Sequence, residues 1–261
     1  MCGRFTQSYT WRELVELYQL TQPALNLRPR YNIAPTTTIS VVRPTEGGLE
    51  LVSMRWGLIP GWWKKTIKEV PSTFNARGET VAQKPIFRSA FKRTRCVVPA
   101  SGYYEWRAAG GGKQPYFISA ADGAVLSIAG LWDQWKDPET AAEISSCTLI
   151  VTAANDFTRP IHDRMPVILD RSKNEAWLTG KAGAELLRPA PNDILRMWPI
   201  SKRVNVSGRG DDDPSLIEAA EDGAVTTSSD SFSSGFSSLI NPLTKTVSIL
   251  RPARSICVVK S

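Results

Sequence analysis

Histidine is almost missing from this 261-residue chain, where His162 stands alone. Cysteine is sparse too: Cys2, Cys96, Cys147 and Cys257 are scattered, with no CxxC pair. That spacing argues against a zinc site and a disulfide framework, and fits a reducing, cytoplasmic setting. No run approaches the ~20 apolar residues of a membrane span, and no basic stretch followed by an apolar one opens the chain. Neither a transmembrane helix nor a signal peptide is expected. Walker loop, dinucleotide fingerprint, GxSxG elbow and internal repeat are all missing. No metal and no cofactor is expected.

What is present reads as globular. Hydrophobic residues make up 42% and charged residues 22%, enough for one sizeable core plus an appendage. The formal charge of +7 is uneven, since the first 204 residues hold 27 basic and 18 acidic side chains. A basic body suits a polyanionic partner, nucleic acid being the commonest.

Local patterns suggest the elements. Thr10 to Glu13 is a capping box, and Trp11, Leu14, Val15 and Tyr18 follow at helical spacing. Strands are expected at 38–43, 49–60, 95–100, 103–107, 115–120, 124–132, 147–153 and 166–170, with a helix over 171–178. GGG at 110–112 and ADG at 121–123 supply turns, the first joining a hairpin. Strands outnumber helices and no βαβ alternation is visible. The expected fold is α+β, a single domain over 1–222 with mainly antiparallel strands and a few helices. Seven of the thirteen residues Thr226–Ser238 are serine. The segment 223–261 therefore reads as a disordered tail, although SILRPARSICVVKS has the pattern of a weak strand.

Several residues draw attention for their chemistry. Cys2 directly follows the initiator methionine, so removal of Met1 would leave an α-amine and a thiol on one two-carbon unit. Such an aminothiol condenses with an aldehyde to an imine, and its sulfur then closes a thiazolidine; a plain small residue near a frayed end is the other reading. His162 follows Pro160 in a polar turn between two apolar runs, at a strand end suited to a site or in a structural role. Glu105 in GYYEW is either a carboxyl of raised pKa among aromatics or an outward-facing strand residue. Asn75 and Arg77 in FNARGE share a side if the segment is extended, which suits a phosphate contact or a surface turn. In GLIPGWWKK, Trp62 and Trp63 beside two lysines resemble a base-stacking platform, with one of the two indoles expected in the core.

MCGRF, YNIAP, RWGLIPGWW, FNARGET, CVVPASGYYEW, LIVTAAN and IHDRMPVIL occur in this order. Together they closely resemble the SRAP family, the SOS response-associated peptidases, also called abasic-site processing proteins. The resemblance runs from Cys2 to about Ile217. It implies a barrel-like core with a DNA-binding groove, and a stable thiazolidine crosslink between the mature N-terminal cysteine and an abasic site in single-stranded DNA. It also implies lyase-like and self-processing activity, a monomer, and association with the nucleoid during DNA damage. By motif, Cys2 is the nucleophile, Asn75 orients it, Glu105 handles protons, and His162 assists sugar opening and crosslink reversal. Arg4, Arg77 and Arg164 become phosphate contacts, and Trp62 and Trp63 a wedge at a single-strand/duplex junction. Pro85 departs from the pattern where a basic contact is expected, with Lys84 and Arg88 nearby. A thiol peptidase using Cys2, Glu105 and His162 is the competing reading, and a non-catalytic basic binding module the third.

Overall fold

The computed structural model describes residues 2–208, 210–220 and 226–227. Strand β1 (Arg4–Gln7) leads into α1 (Trp11–Tyr18), followed by β2 (Arg30–Ile33), β3 (Thr38–Thr45) and β4 (Gly48–Trp56). The short β5 (Asn75–Arg77) and helix α2 (Pro85–Arg93) precede β6 (Arg95–Ala100), β7 (Gly102–Ala109) and β8 (Gly112–Ala120). Long strands β9 (Leu126–Lys136) and β10 (Glu143–Ala153) come next. The chain closes with β11 (Arg164–Pro166), β12 (Ile168–Leu169), α3 (Asn174–Leu178), β13 (Leu195–Pro199) and β14 (Thr226–Thr227).

Five strands close on themselves in the order β10-β4-β3-β6-β9 and back to β10. Closure removes the unpaired edges that an open sheet leaves. All these pairings are antiparallel except β10–β4; β5 joins β10 in parallel as well. A six-stranded sheet, β14-β13-β8-β7-β1-β2, lies beside the barrel. The α+β expectation of mainly antiparallel strands in a barrel-like core holds.

Alternation along the barrel strands feeds two cores, because successive side chains point to opposite faces. Cys96, Val98, Leu149 and Val151 pack with Phe5, Ile33 and Tyr103 of the six-stranded sheet. Val97, Ala129, Leu131 and Ile150 pack instead with Leu14, Phe87 and Trp177 of the three helices. Cys96 and Cys147 are fully buried, and desolvation pushes both thiols up, as expected of inert core cysteines.

The capping box of α1 forms as read: Thr10 Oγ1 accepts from the Glu13 amide at 3.2 Å, and Glu13 Oε2 accepts from the Thr10 amide at 2.6 Å. Several boundaries differ from the expectation: β9 begins at Leu126 and runs on to Lys136, and β10 starts earlier, at Glu143. The strand expected over 49–60 ends at Trp56, because Gly57 turns at φ +132 and donates to the Cys147 carbonyl. The run 166–170 splits into β11 and β12 as it moves from β10 to β9. The helix over 171–178 begins as a 3-10 turn, Arg171–Lys173, and is α-helical only from Asn174. Of the serine-rich tail, Thr226–Thr227 pair with Met197 and Arg196. The rest of it, including SILRPARSICVVKS, lies outside the described residues.

Candidate active site

Strand pairing gathers the four candidate catalytic residues. Arg4 pairs with Tyr104 and Phe5 with Tyr103. Extending that antiparallel register by one step sets Glu105 across from Gly3, next to Cys2. From the other side, β10 positions the remaining two. Asn75 pairs with Leu149 on β10, and the turn after β10 carries His162 before β11 returns alongside. The rings of Phe5, Trp56 and Phe74 bind the two sides together, meeting edge-on with centroids 5.0 and 5.8 Å apart. Trp56 Nε1 donates to the Phe74 carbonyl at 2.8 Å, which fixes the residue just before Asn75.

Asn75 Nδ2 donates to the Cys2 carbonyl at 2.7 Å. Cys2 is fully buried, with Sγ 3.8 Å from the Arg4 carbonyl. Burial pushes its thiol well above the ordinary value, and the nearby Glu105 carboxylate adds to this. Glu105 is only 2% exposed. Desolvation raises its carboxyl to about 7, although the positive chain terminus pulls in the opposite direction. The outward-facing alternative for Glu105 is thereby removed. Tyr103, on the same face of β7 two residues earlier, is also buried, and its phenol is pushed up by desolvation, then by Cys2 and Glu105.

His162 Nε2 lies 4.0 Å from Glu105 Oε2. On the opposite ring edge, the Arg164 amide reaches Nδ1 at 3.0 Å and Asp163 Oδ1 reaches it at 2.9 Å. The backbone amide can only donate, whereas the Asp163 side chain is 84% exposed and its charge is screened by solvent. Nδ1 is therefore the acceptor, and Nε2 carries the proton that faces Glu105. Desolvation, then the positive terminus, lower the imidazole's pKa, so the ring is neutral at pH 7.

The expected DNA contacts are placed differently from one another. Arg77 is exposed on β5 and has no side-chain hydrogen bond among the described residues; Asn75 shares its side of the strand, with buried Ala76 on the other. Arg164 pairs with Glu79. Arg4 is turned to the protein itself: Nη1 donates to Asn32 Oδ1 and the Val204 carbonyl, both at 2.7 Å. Sequence reading missed this clamp, which ties 202–205 to β1 through Asn32, because Arg4 and Val204 are 200 positions apart. Trp62 is 49% exposed, while Trp63 is half-buried, donating from Nε1 to the Thr66 carbonyl at 3.2 Å. Among the described residues neither indole shares a hydrogen bond or ring contact with Cys2 or Asn75.

Among the described residues no helix is long and apolar enough to cross a membrane, and no group of three His, Cys, Asp or Glu is arranged to hold a metal. Buried donors and acceptors around a cysteine at position 2 suit proton-coupled addition chemistry.

The chain is 35% identical over 227 residues to the abasic site processing protein YoqW of Bacillus subtilis (strain 168), covering 84% of this chain and 100% of that protein. It is 33% identical over 223 residues to the abasic site processing protein YedK of Escherichia coli (strain K12), covering 80% and 97%. A crystal structure of a protein from Bacteroides thetaiotaomicron superposes with a TM-score of 0.76 at 28% identity, covering 84% of this chain and 100% of that one. The model of the SOS response associated peptidase (SRAP) family matches residues 1–207, and the chain belongs to that family.

Proposed function

We propose that this protein processes abasic sites in single-stranded DNA, capturing the lesion covalently through Cys2 once Met1 is removed. The observation that carries this reading is the buried Glu105 carboxyl, raised to about 7 and set between Cys2 and His162. At neutral pH it exists in both protonation states, as a group that gives a proton and later takes one must.

The steps follow from that placement. The Cys2 α-amine adds to the aldehyde carbon of the ring-opened sugar, giving a carbinolamine. Protonated Glu105 supplies the proton with which the hydroxyl leaves as water, and a protonated imine remains beside the Glu105 carboxylate. The Cys2 sulfur then adds to the imine carbon and the thiol proton passes to Glu105, closing a thiazolidine with net loss of one water. Asn75 holds the Cys2 carbonyl, and so the nitrogen, in place during addition. His162, neutral with Nε2–H toward Glu105, assists opening of the sugar and the reverse reaction. Arg77 offers a guanidinium to a flanking phosphate. Arg164 and Arg4 contact phosphates on exchanging Glu79 and the carbonyl partners. Trp62 and Trp63 form the wedge where single strand meets duplex. The activity belongs to residues 1–222, acting as a monomer, with 223–261 as an appendage.

The peptidase reading is less well supported. A thiol peptidase attacks with a thiolate held at low pKa beside a cationic partner. Here burial and Glu105 both hold Cys2 as the thiol, and His162 is neutral. An amine that attacks first, with the sulfur following onto an imine, does not need that thiolate.

Mass spectrometry of the processed protein mixed with abasic single-stranded DNA tests the proposal. A heat-stable adduct on Cys2, at the summed mass less one water, is expected. Peptide cleavage without an adduct would select the peptidase instead.

A further inference from the structure

We propose that the Tyr103 hydroxyl donates a hydrogen bond to the Cys2 sulfur as the thiazolidine ring closes. This rests on the reading of Cys2 given above and adds a residue to one step of it. Tyr103 stands across from Phe5 on β7, two residues before Glu105 and on the same face of the strand. It packs with Cys2 and Phe5 in one apolar cluster, and Cys2 and Tyr103 are both fully buried.

The fold gives this hydroxyl no task of its own. It is sealed from solvent, and among the described residues no donor or acceptor bonds to it. A buried hydroxyl left in that state is a cost that phenylalanine would not carry. Tyr18 and Tyr104 are also buried, yet each uses its hydroxyl within the fold: Tyr18 bonds to Ser127 Oγ, and Tyr104 donates to the Tyr31 carbonyl. Desolvation, then Cys2 and Glu105, push the Tyr103 phenol up, so at neutral pH it holds its proton and can donate.

The sulfur is where a donor is needed. At rest Cys2 Sγ lies 3.8 Å from the Arg4 carbonyl, an acceptor that suits a thiol and repels a thiolate. Burial and the Glu105 carboxylate oppose the anion as well. A thiol sulfur is a weak acceptor, consistent with a phenol left unbonded at rest. As Sγ bonds to the carbon of the protonated imine, the C=N π pair moves to nitrogen and the thiol proton passes to the Glu105 carboxylate. Negative charge gathers on sulfur during that transfer, and a neutral donor already in place stabilises it where it develops. Tyr103 keeps its own proton throughout. It is a catalytic residue of ring closure, not of imine formation.

Tyr103→Phe removes the hydroxyl and keeps the ring. Single-turnover reaction of the processed full chain with abasic single-stranded DNA is followed in two ways. Borohydride trapping reads the imine, and heat-stable adduct without reductant reads the closed ring. Loss of a hydrogen bond to a charged group should slow closure by about 10- to 100-fold. Imine formation should keep its wild-type rate, so that trappable imine accumulates, and Tm should equal or exceed that of wild type. Tyr18→Phe, which breaks the bond to Ser127, should lower Tm and leave both rates near wild type. A wild-type closure rate in Tyr103→Phe overturns the inference while the crosslink itself stands. Equal slowing of both steps overturns it by placing the hydroxyl on an earlier step, and a lower Tm does so by revealing a structural role. Wild-type protein that forms no adduct overturns the reading of Cys2 and the inference with it.

Discussion

The Asn75 carboxamide nitrogen and the Cys2 main-chain oxygen, 73 positions apart in sequence, are joined by a 2.7 Å hydrogen bond. The bond couples the start of the chain to β5, and through β5 to β10. Asn75→Asp replaces the donor with a second acceptor and sets it against the Cys2 carbonyl. Crosslinking to abasic single-stranded DNA is expected to slow by about 10²-fold, consistent with lost positioning of a reacting group. Asn75→Ala should slow it less, since it removes the bond without adding repulsion. Equal rates for both variants and wild type, read by gel shift under denaturing conditions, would show that Cys2 needs no such anchor.

Glu105 links catalysis to stability in opposite directions. Its folded-state pKa of about 7 lies above the ordinary 4.5. Below pH 4.5 both folded and unfolded chains keep the proton, and burial carries no ionisation penalty. Between 4.5 and 7 the unfolded chain releases the proton first, so stability falls as pH rises. Above 7 the loss is complete, of order 3 kcal/mol. Glu105→Gln should therefore melt higher than wild type at pH 8, with the two Tm values converging near pH 4. The same variant should crosslink ~10²–10⁴ times more slowly. A lower Tm at pH 8 would mean that the carboxylate is stabilised by partners in the fold.

Retention of Met1 should abolish the adduct. An amide nitrogen cannot form an imine, so an unprocessed tag ahead of Cys2, or a bulky second residue that blocks removal of Met1, blocks the first step. Cys2→Ser should also lose the heat-stable product, because an oxazolidine hydrolyses far more readily than the sulfur ring. A heat-stable adduct from protein with Met1 verified by intact mass would rule out the aminothiol route.

The two tryptophans should separate in their effects. Trp62 is about half exposed, so Trp62→Ala should change Tm little. Trp63 is half-buried and bonded to Thr66, and Trp63→Ala should destabilise the loop by about 1–3 kcal/mol. Wild-type protein should crosslink single strand or a 3′-recessed junction faster than intact duplex, since unstacking costs a few kcal/mol. The double variant should lose chiefly the junction preference. Equal wild-type rates on single-stranded and fully paired abasic oligonucleotides would contradict this.

Gly102 opens the strand that carries Glu105. A Cβ there would lie 2.3 Å from Phe117 Cζ and 2.7 Å from the Ile118 carbonyl oxygen. The backbone oxygen has no rotamer by which to move aside. Gly102→Ala is expected to cost about 1–3 kcal/mol and to lower the crosslinking rate by displacing β7. Wild-type urea midpoint and rate together would show that β7 shifts without consequence.

Sequence alone determined what depends on near neighbours. The capping box of α1 and the glycine turn between β7 and β8 are visible in short windows, because their hydrogen bonds close within a few residues; strand β6 at Arg95–Ala100 shows by its apolar run, although it pairs with the distant β3 and β9. Chemically distinctive residues were legible too: a cysteine at position 2, a carboxylate among aromatics and a single histidine each announce themselves by type. Only the tertiary structure decided that they meet. Barrel closure through the parallel β10–β4 pair, the Asn75–Cys2 bond and the burial of Glu105 depend on pairings between distant segments, whose register no local pattern encodes. The same reason separates the arginines. Arg4, Arg77 and Arg164 are alike as letters, but long-range contacts clamp the first to Asn32 and Val204, leave the second in solvent and pair the third with Glu79.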